Sequence, residues 1–376
     1  MPKISIPNSV RRYSQGMGPA AGLRCEIARP TIYRMEWVGA RWGPVGAVVL
    51  LLLLFRCNAR GHNGRDPLRP ILERVAVDRT VILTQASCPY LDFAENWILH
   101  VEGLNVKNYL ILVDDDVAFK YLDKNFPGHT VHPSIISNGP RHGPKPLMRY
   151  DSLDFNNMMC QRLGIQKRVL DLGFSFMWTD MDTVWFQDAS KIIPRGFDFV
   201  GTGDRFRFGH DDEEENKICG CMTFWSPTVP ARQALREWHA KCINSNVDDQ
   251  RTLQEMWASG DLKQKLFWYI MPWQLFPSGA LLDQVKVDFS RSHVQDNPGA
   301  VLPAVIHANY RTGAEAKRKF LQERGIDLWG NGRTGRAAAA RRRRPGACAR
   351  GNTNRAESRK KRKKRTCQVI WTPSSM

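Results

Sequence analysis

The chain has 376 residues and a formal net charge of +18 at pH 7, a balance that on its own would suit a nucleic-acid-binding protein. The positive charge lies at the two ends, however: residues 1–60 carry nine Lys and Arg against two Glu, and residues 331–376 carry fifteen against one. Residues 61–330 are mildly acidic, whereas a nucleic-acid-binding fold carries its basic patch on the folded domain. We therefore expect no nucleic-acid partner. The alternative interpretation is that the chain is a non-enzymatic nuclear or nucleic-acid-binding protein with a basic tail.

An uncharged, apolar run occupies residues 42–55. It is shorter than the roughly 20 residues that span a typical bilayer, but thinner membranes accept shorter spans. Seven Lys and Arg precede the run, which favours a cytoplasmic N-terminus. We predict a cytoplasmic segment over residues 1–41, a signal anchor over 42–55 and a linker over 56–78. A buried core helix is the alternative for the apolar run.

Residues 79–330 alternate between strand-like and helix-like patterns. Apolar or β-branched runs predict strands, and apolar residues at helical spacing predict helices, over the following segments: strands 79–84, 109–113, 174–178, 197–201 and 222–225; helices 91–101 and 158–172. This β-α-β alternation indicates an α/β fold with a doubly wound, mostly parallel sheet. We assign residues 79–330 to one catalytic domain.

Three consecutive acids, Asp114, Asp115 and Asp116, follow the second predicted strand. Residues 117–122 have the spacing of an amphipathic helix, and acids in the first turn of a helix complement its dipole without needing a ligand. We interpret the triplet as structural, with a contact to a nucleotide as the alternative.

A second acidic pair follows the strand predicted over residues 174–178. Asp180 and Asp182 stand between that apolar run and another, Thr183 to Phe186. Ligands bind at the carboxyl ends of strands in open α/β sheets. Two carboxylates there suit a hard divalent cation that completes its shell with phosphate oxygens. The pattern therefore predicts a metal site for the diphosphate of a sugar nucleotide.

Haloacid-dehalogenase phosphatases provide a competing interpretation of the same triplet. In that class Asp180 would be a nucleophile and Asp182 a general acid. The motif lies about 100 residues into the predicted domain, however, whereas those phosphatases open their core domain with it. Their later Gly-Asp-X-X-X-Asp signature is not found either, because Gly203-Asp204 is followed by Arg205-Phe206-Arg207-Phe208.

Several segments together carry a resemblance to a known family. They are Thr179 to Asp188, Cys219-Gly220-Cys221-Met222, Asp249-Gln250, Phe276-Pro277-Ser278-Gly279, and Val305 to Tyr310 with Gly313 and Lys317. On these residues the predicted domain resembles the plant-type nucleotide-diphospho-sugar transferases, which include rhamnogalacturonan xylosyltransferases and extensin arabinosyltransferases. The resemblance implies a GT-A fold, in which a mixed sheet combines a Rossmann-like nucleotide-binding half with an acceptor half. It also implies retention of configuration, dependence on Mn²⁺ (or Mg²⁺), and a type II protein of the Golgi membrane.

The resemblance also suggests roles for individual residues. Metal ligands would be Asp180, Asp182 and His307; the donor and its diphosphate would be bound by Asp180, Gly220, Lys317 and Thr84; and Asp249 and Gln250 would support the reacting sugar as catalytic residues. His307, Gly313 and Lys317 resemble the His-Gly-Lys diphosphate clamp of other retaining enzymes, but five residues rather than two separate His from Gly. Alternative roles are a hydrogen-bonded core imidazole for His307, a helix N-cap for Asp249, and an ordinary turn for Gly220 and for Gly279.

The expected donor is a nucleotide sugar, UDP-linked xylose, arabinose or galactose, and the expected acceptor is a glycan or glycoprotein. Residues 331–376 predict a disordered basic tail, because dense blocks of like charge repel. Residues 361–365 would also pass for a nuclear localisation signal. Five Cys lie in the predicted domain, an odd number, so at least one is free or paired outside it.

Overall fold

A computed structural model describes residues 66–136, 148–204, 217–284 and 302–326, with the side chain of Gln284 excepted. The predicted cytoplasmic segment, signal anchor and basic tail lie outside these residues. No helix in the described ranges is long and apolar enough to cross a membrane.

Helices and strands alternate along the described ranges, as the sequence predicts. The helices are α1 Leu68–Val75, α2 Leu91–Gly103, α3 Asp116–Asn125, α4 Pro133–Ile136, α5 Leu153–Asp171, α6 Ala189–Ile192, α7 Val229–Ile243, α8 Asp249–Ala258, α9 Gly279–Gln284 and α10 Ala314–Glu323. The strands are β1 Thr80–Ala86, β2 Tyr109–Val113, β3 Thr130–Val131, β4 Ser175–Thr179, β5 Thr183–Trp185, β6 Phe199–Gly203, β7 Ile218–Trp225, β8 Trp268–Met271 and β9 Val305–His307.

Seven strands form the central sheet, in the order β3-β2-β1-β4-β7-β6-β8. Strand β7 is antiparallel to both of its neighbours, and the other neighbouring pairs are parallel. The mixed α/β fold with a mostly parallel sheet is therefore confirmed. Strand β1 has β2 on one side and β4 on the other, so the strand order reverses at β1. Such a reversal opens a crevice at the carboxyl ends of the strands, where ligands bind.

Both faces of the sheet are covered, which explains the continuous apolar runs in the sequence. In β2 all five residues are buried. Tyr109, Ile111 and Val113 pack into one core with Trp97 of α2, whereas Leu110 and Leu112 pack into a second core on the other face. Alternate side chains of a strand point to opposite faces, so a strand with helices on both sides needs apolar residues throughout.

The first described helix, α1, lies within the segment predicted as a linker. Leu68 and Leu72 are buried in the second core, and Arg168 of α5 makes an ion pair with Asp66, at 2.6 Å, just before the helix. The folded region therefore begins before residue 79. The expectation of a linker up to residue 78 was wrong for this helix, because a short amphipathic helix beside Pro and Arg residues gives little sequence signal.

Candidate active site

Asp180 and Asp182 lie in a tight turn between β4 and β5. The turn is held by backbone and hydroxyl contacts: Asp180 N donates to Cys221 O of β7 at 2.8 Å, and Thr183 Oγ1 donates to Asp180 O at 2.8 Å. Asp182 is 7% exposed, and the Asp180 side chain is 27% exposed. The pair therefore lies at the carboxyl end of β4, as predicted, with Asp180 the more accessible of the two.

His307 reaches the same turn through strand pairing. Strands β5 and β9 form a small antiparallel sheet in which Thr183 lies opposite His307, and Ala308 N donates to Asp182 O at 3.1 Å. His307 Nε2 lies 3.1 Å from Asp182 Oδ1 and 3.7 Å from Asp180 Oδ2. The structure thus brings together the three residues predicted as metal ligands.

Lys317, on α10, completes a compact cluster of charges. Its Nζ donates to Asp182 Oδ2 at 2.6 Å. Burial raises the pKa of Asp182, but the adjacent Lys317 and His307 outweigh burial and hold that pKa well below its usual range. Burial lowers the pKa of Lys317 and of His307, and the nearby Asp182 carboxylate outweighs it, so both pKa values are raised. The lowered pKa of Asp182 favours its carboxylate form, and the Lys317 ammonium is its close cationic partner.

Asp180, Asp182 and His307 each offer one ligand atom, and these atoms all lie within 4.8 Å of one another. Two carboxylates and an imidazole suit Mn²⁺, which accepts mixed nitrogen and oxygen ligands more readily than Mg²⁺. His307 Nδ1 is buried and has no hydrogen-bond partner among the described residues, so the described contacts hold the ring through Nε2 alone. The donor set therefore fits a divalent cation.

Two cysteines also lie close to His307, but they are not available as thiolate ligands. Cys219 and Cys221 of β7 are joined to each other by a disulfide, and Cys160 of α5 is joined to Cys242 of α7. Cys88 is disulfide-bonded as well. All five cysteines of the predicted domain are therefore oxidised.

Arg162, on α5, connects the acidic turn to a buried acid behind it. Its Nη1 lies 3.2 Å from Asp180 Oδ1, its Nε lies 2.5 Å from Asp249 Oδ2, and its guanidinium packs 4.6 Å above the Trp178 ring. Trp178 Nε1 also donates to Asp180 Oδ1, at 3.0 Å. Sequence reasoning missed Arg162, because an arginine in a helical pattern normally faces solvent. The cost of burying an unpaired charge explains why it has two carboxylate partners.

Asp249 is the first residue of α8 and is 1% exposed. Burial raises its pKa to about 6, against the opposing effect of Arg162. The residue that caps the helix is Asp248, whose side chain accepts a hydrogen bond from Arg251 N at 2.8 Å. The N-cap alternative for Asp249 was therefore wrong by one residue, and the described role of Asp249 is to hold Arg162.

Gln250 is turned toward the backbone of β7. Its Oε1 accepts from Gly220 N at 2.5 Å, and its Nε2 donates to Ile218 O at 2.7 Å. A Cβ on Gly220 would lie 2.9 Å from Gln250 Oε1, so the glycine at position 220 makes room for this side chain. In this structure Gln250 bonds the backbone of Gly220 and of Ile218, and the donor-binding and catalytic roles expected for Gly220 and Gln250 stay predictions.

A cavity of about 870 Å³, including its open mouth, lies beside the acidic turn. Its polar lining comes from the ends of β1, β2 and β4 and from two helices, and comprises Gln85, Ser87, Tyr90, Asp114, Arg162, Asp180, Asp182 and Lys317. Its apolar lining comprises Met148, Phe155, Met158, Met159, Trp178 and Met181. Neither Asp249 nor Gln250 lines this cavity.

The end of β1 contributes to the cavity through a residue next to the predicted one. Thr84 is fully buried and does not line the cavity, so the structure does not place it for donor binding. Gln85, on the opposite face of the strand, does line it and donates to Asp114 Oδ1 at 2.7 Å. Asp115 caps α3 by accepting from Ala118 N and also accepts from Cys88 N, each at 2.8 Å. Within the acidic triplet, Asp115 is thus a structural helix cap, whereas Asp114 lines the cavity.

Comparison with known proteins decides the family. A sequence model described as nucleotide-diphospho-sugar transferase matches residues 104–321, a range that contains β2, the acidic turn, β9 and Lys317. The chain belongs to the nucleotide-diphospho-sugar transferase family. It is therefore a glycosyltransferase that uses nucleotide sugars, and the phosphatase and nuclear-protein alternatives are not supported.

Curated relatives of this transferase carry related names. It is 26% identical over 271 residues to the UDP-D-xylose:L-fucose alpha-1,3-D-xylosyltransferase MGP4 of Arabidopsis thaliana, covering 68% of this chain and 71% of that protein. It is 22% identical over 276 residues to the arabinosyltransferase RRA2 of the same plant, covering 65% and 59%. Among solved structures, the galactosyltransferase LgtC matches with a TM-score of 0.40 and 11% identity, covering 66% of this chain and 96% of LgtC.

Proposed function

We propose that this transferase moves a pentosyl or hexosyl group from a UDP-sugar to a glycan or glycoprotein, with retention, and that Asp180, Asp182 and His307 hold the divalent cation it requires. The observation that carries the proposal is the convergence of these three side chains and Lys317, three of which, Asp180, Asp182 and Lys317, line the cavity. When bound, the cation would offset the negative charge that builds on the departing nucleotide.

Residues of the chain itself supply the remaining interactions. Lys317 is the cation best placed to bind the diphosphate, because its ammonium lines the cavity beside Asp182. Tyr90, also on the lining, offers an aromatic face for a base or sugar. Arg162 fixes Asp180 from behind.

A front-face displacement best explains how the anomeric configuration would be retained. Among the described residues that line the cavity, the carboxylates are Asp114, Asp180 and Asp182. Asp180 and Asp182 are assigned to the cation, and Asp114 accepts a hydrogen bond from Gln85 at 2.7 Å, so we assign none of the three as a nucleophile. The acceptor hydroxyl would then attack on the face that the nucleotide leaves, and the departing diphosphate would take its proton.

The names of the relatives and the lining of the cavity suggest a first donor and acceptor. UDP-D-xylose and L-fucose are the substrates named for the xylosyltransferase relative. Xylose has no exocyclic hydroxymethyl group and fucose ends in a methyl group, so both suit a cavity wall of Met148, Phe155, Met158 and Met159. We propose this pair ahead of UDP-arabinose and UDP-galactose.

A panel of UDP- and GDP-sugars, scored for hydrolysis with and without Mn²⁺, tests the proposal. We expect a UDP-pentose to be cleaved fastest, cleavage to stop when a chelator removes the cation, and the anomeric configuration to be retained in the NMR spectrum of a transfer product. Cleavage of no sugar nucleotide, or cleavage indifferent to metal, would contradict the proposal.

We also propose that residues 42–55 anchor the protein in the Golgi membrane as a type II protein with a lumenal catalytic domain. The support is the apolar run with seven basic residues before it, together with the oxidised cysteines, since disulfides persist in the secretory pathway. Protease added to sealed microsomes should spare the catalytic domain. Its digestion from outside would reverse the assignment.

A further inference from the structure

Lys317 contacts a proposed metal ligand, and this contact competes with the metal. Its Nζ lies 2.6 Å from Asp182 Oδ2, while His307 Nε2 lies 3.1 Å from Asp182 Oδ1. Both oxygens of Asp182 therefore already have partners within the protein. Lys317 would therefore lower the affinity of Asp182 for a divalent cation, because its ammonium is close and the site is shielded from water.

Arg162 makes the corresponding contact with Asp180, but it is held far more firmly. It bonds the buried Asp249 as well and packs over Trp178. Among the described residues, by contrast, Asp182 is the sole carboxylate paired with Lys317. A lysine is a compact charge on a flexible stem, and Lys317 lines the cavity. Its ammonium can therefore turn from Asp182 into the cavity while Arg162 stays in place.

We propose that Lys317 is an internal counter-cation that exchanges between Asp182 and the diphosphate of the bound nucleotide. Without a nucleotide, Lys317 neutralises Asp182 and weakens the binding of a divalent cation. A diphosphate in the cavity carries more negative charge than one carboxylate, draws the ammonium away and releases Asp182 Oδ2 to the metal. This inference rests on the proposed function, and it goes beyond it by predicting how the two ligands depend on each other.

Positive coupling between metal and nucleotide follows directly. If the nucleotide removes a competitor of the metal, it raises the affinity of the metal, and by linkage the metal raises the affinity of the nucleotide by the same factor. The acidic turn would hold its cation firmly only when a donor is present. Lys317 thus acts as a positioning residue in the metal site and as a ligand of the donor.

Titration calorimetry on the full chain, with Mn²⁺ and UDP as the probes, tests the exchange without measuring turnover. Lys317→Met removes the ammonium and keeps an apolar stem. We expect this variant to bind Mn²⁺ alone about tenfold more tightly than the wild type, in line with the loss of one charge-assisted contact. We also expect it to bind UDP more weakly and to show less coupling between the two ligands than the wild type, because only the part of the coupling that passes through Lys317 is removed.

Lys319→Met is the matched control. It removes the same charge from the same helix, but the Lys319 side chain is 75% exposed and pairs with Glu323. It should leave the Mn²⁺ affinity, the UDP affinity and their coupling unchanged. Unfolding curves would check that each variant is folded, and Lys317→Gln would replace Lys317→Met in the comparison if the methionine variant were not.

The outcomes separate this inference from the proposed function. A wild-type protein that binds neither Mn²⁺ nor UDP would overturn both. A wild type that binds both ligands without coupling, or a Lys317→Met variant whose affinity for Mn²⁺ alone is unchanged or weaker, would overturn the exchange and leave the proposed function standing. If Lys319→Met also bound Mn²⁺ more tightly, the effect would come from the lower net positive charge of the protein. That result would also overturn the exchange.

Discussion

Asp249 Oδ2 accepts a hydrogen bond from Arg162 Nε at 2.5 Å, and both side chains are buried. Asp249 is therefore separated from the cavity by the arginine that it holds. Arg162 in turn contacts Asp180, so a residue expected to support the sugar directly lies behind a carboxylate that we propose as a metal ligand. Asp249, Arg162 and Asp180 thus form a chain of ion pairs that ends in the acidic turn.

We expect Asp249→Asn to destabilise the protein by about 3 kcal/mol, because it leaves the buried Arg162 charge with Asp180 as its one remaining partner. Denaturant unfolding would measure the change. Asp248→Asn is the control: Asp248 caps α8, and Asn is an equally good N-cap, so its stability should hardly change. Equal losses in the two variants would contradict the role given to Asp249.

Gly279 is required by the backbone that carries His307. A Cβ at this position would lie 2.5 Å from Asn309 O and 3.0 Å from His307 O, and backbone atoms cannot turn aside as the end of a side chain can. Gly279→Ala should therefore destabilise the protein by about 1–3 kcal/mol and weaken Mn²⁺ binding by displacing His307. At Gly203 a Cβ would meet nothing within 4 Å. Gly203→Ala should therefore change neither the stability nor the Mn²⁺ affinity. Unfolding curves and calorimetry on the two variants would measure both quantities.

The two disulfides described should differ greatly in their effect on stability. Cys160 and Cys242 are 82 residues apart, whereas Cys219 and Cys221 are two apart. In the chain-entropy account, closing the long loop is worth about 4 kcal/mol and closing the short one far less. Cys160→Ala with Cys242→Ala should thus lower the unfolding free energy much more than Cys219→Ala with Cys221→Ala. Similar losses of unfolding free energy in the two double variants would show that the entropy of the unfolded chain is not the main source of stabilisation by the disulfides.

Local patterns in the sequence were enough to predict much of the fold. The predicted strand over residues 109–113 matches β2, and the strand over 174–178 is displaced by one residue from β4. Burial on both faces of the sheet produced the continuous apolar runs on which these predictions depended. The acidic turn could be located for the same reason, since it interrupts two such runs.

Contacts between distant segments were harder to predict. His307 meets Asp182 through the register of β5 with β9, and nothing in either short run encodes that pairing, so the contact was expected from family resemblance alone. Arg162 was missed because its partners lie on other elements. Asp248 and Asp249 are adjacent acids at the start of a helix, and only the backbone shows which of them is the cap.

Asp180→Asn and Asp182→Asn test the centre of the site. Each substitution is nearly isosteric, so the fold should survive, but each removes a charge that would hold the cation. A metal contact to a developing leaving group is worth several kcal/mol, so turnover should fall by roughly a hundredfold or more and Mn²⁺-dependent binding of the UDP-sugar should be lost. Sugar-nucleotide cleavage and calorimetry would follow the two effects.

His307→Ala sharpens that test, because His307 Nε2 lies within 3.7 Å of both carboxylates. If the imidazole is a ligand, this variant should bind Mn²⁺ more weakly, and added Mn²⁺ should restore part of its activity. The aspartate variants should recover less, since they lose charge as well as a ligand. His100→Ala is a suitable comparison: that imidazole contacts the carbonyls of Trp185 and Ile326, so its loss should cost stability without changing the Mn²⁺ concentration needed for half-maximal rate. An unaltered Mn²⁺ requirement in His307→Ala would remove His307 from the metal site and leave the two carboxylates as its protein ligands.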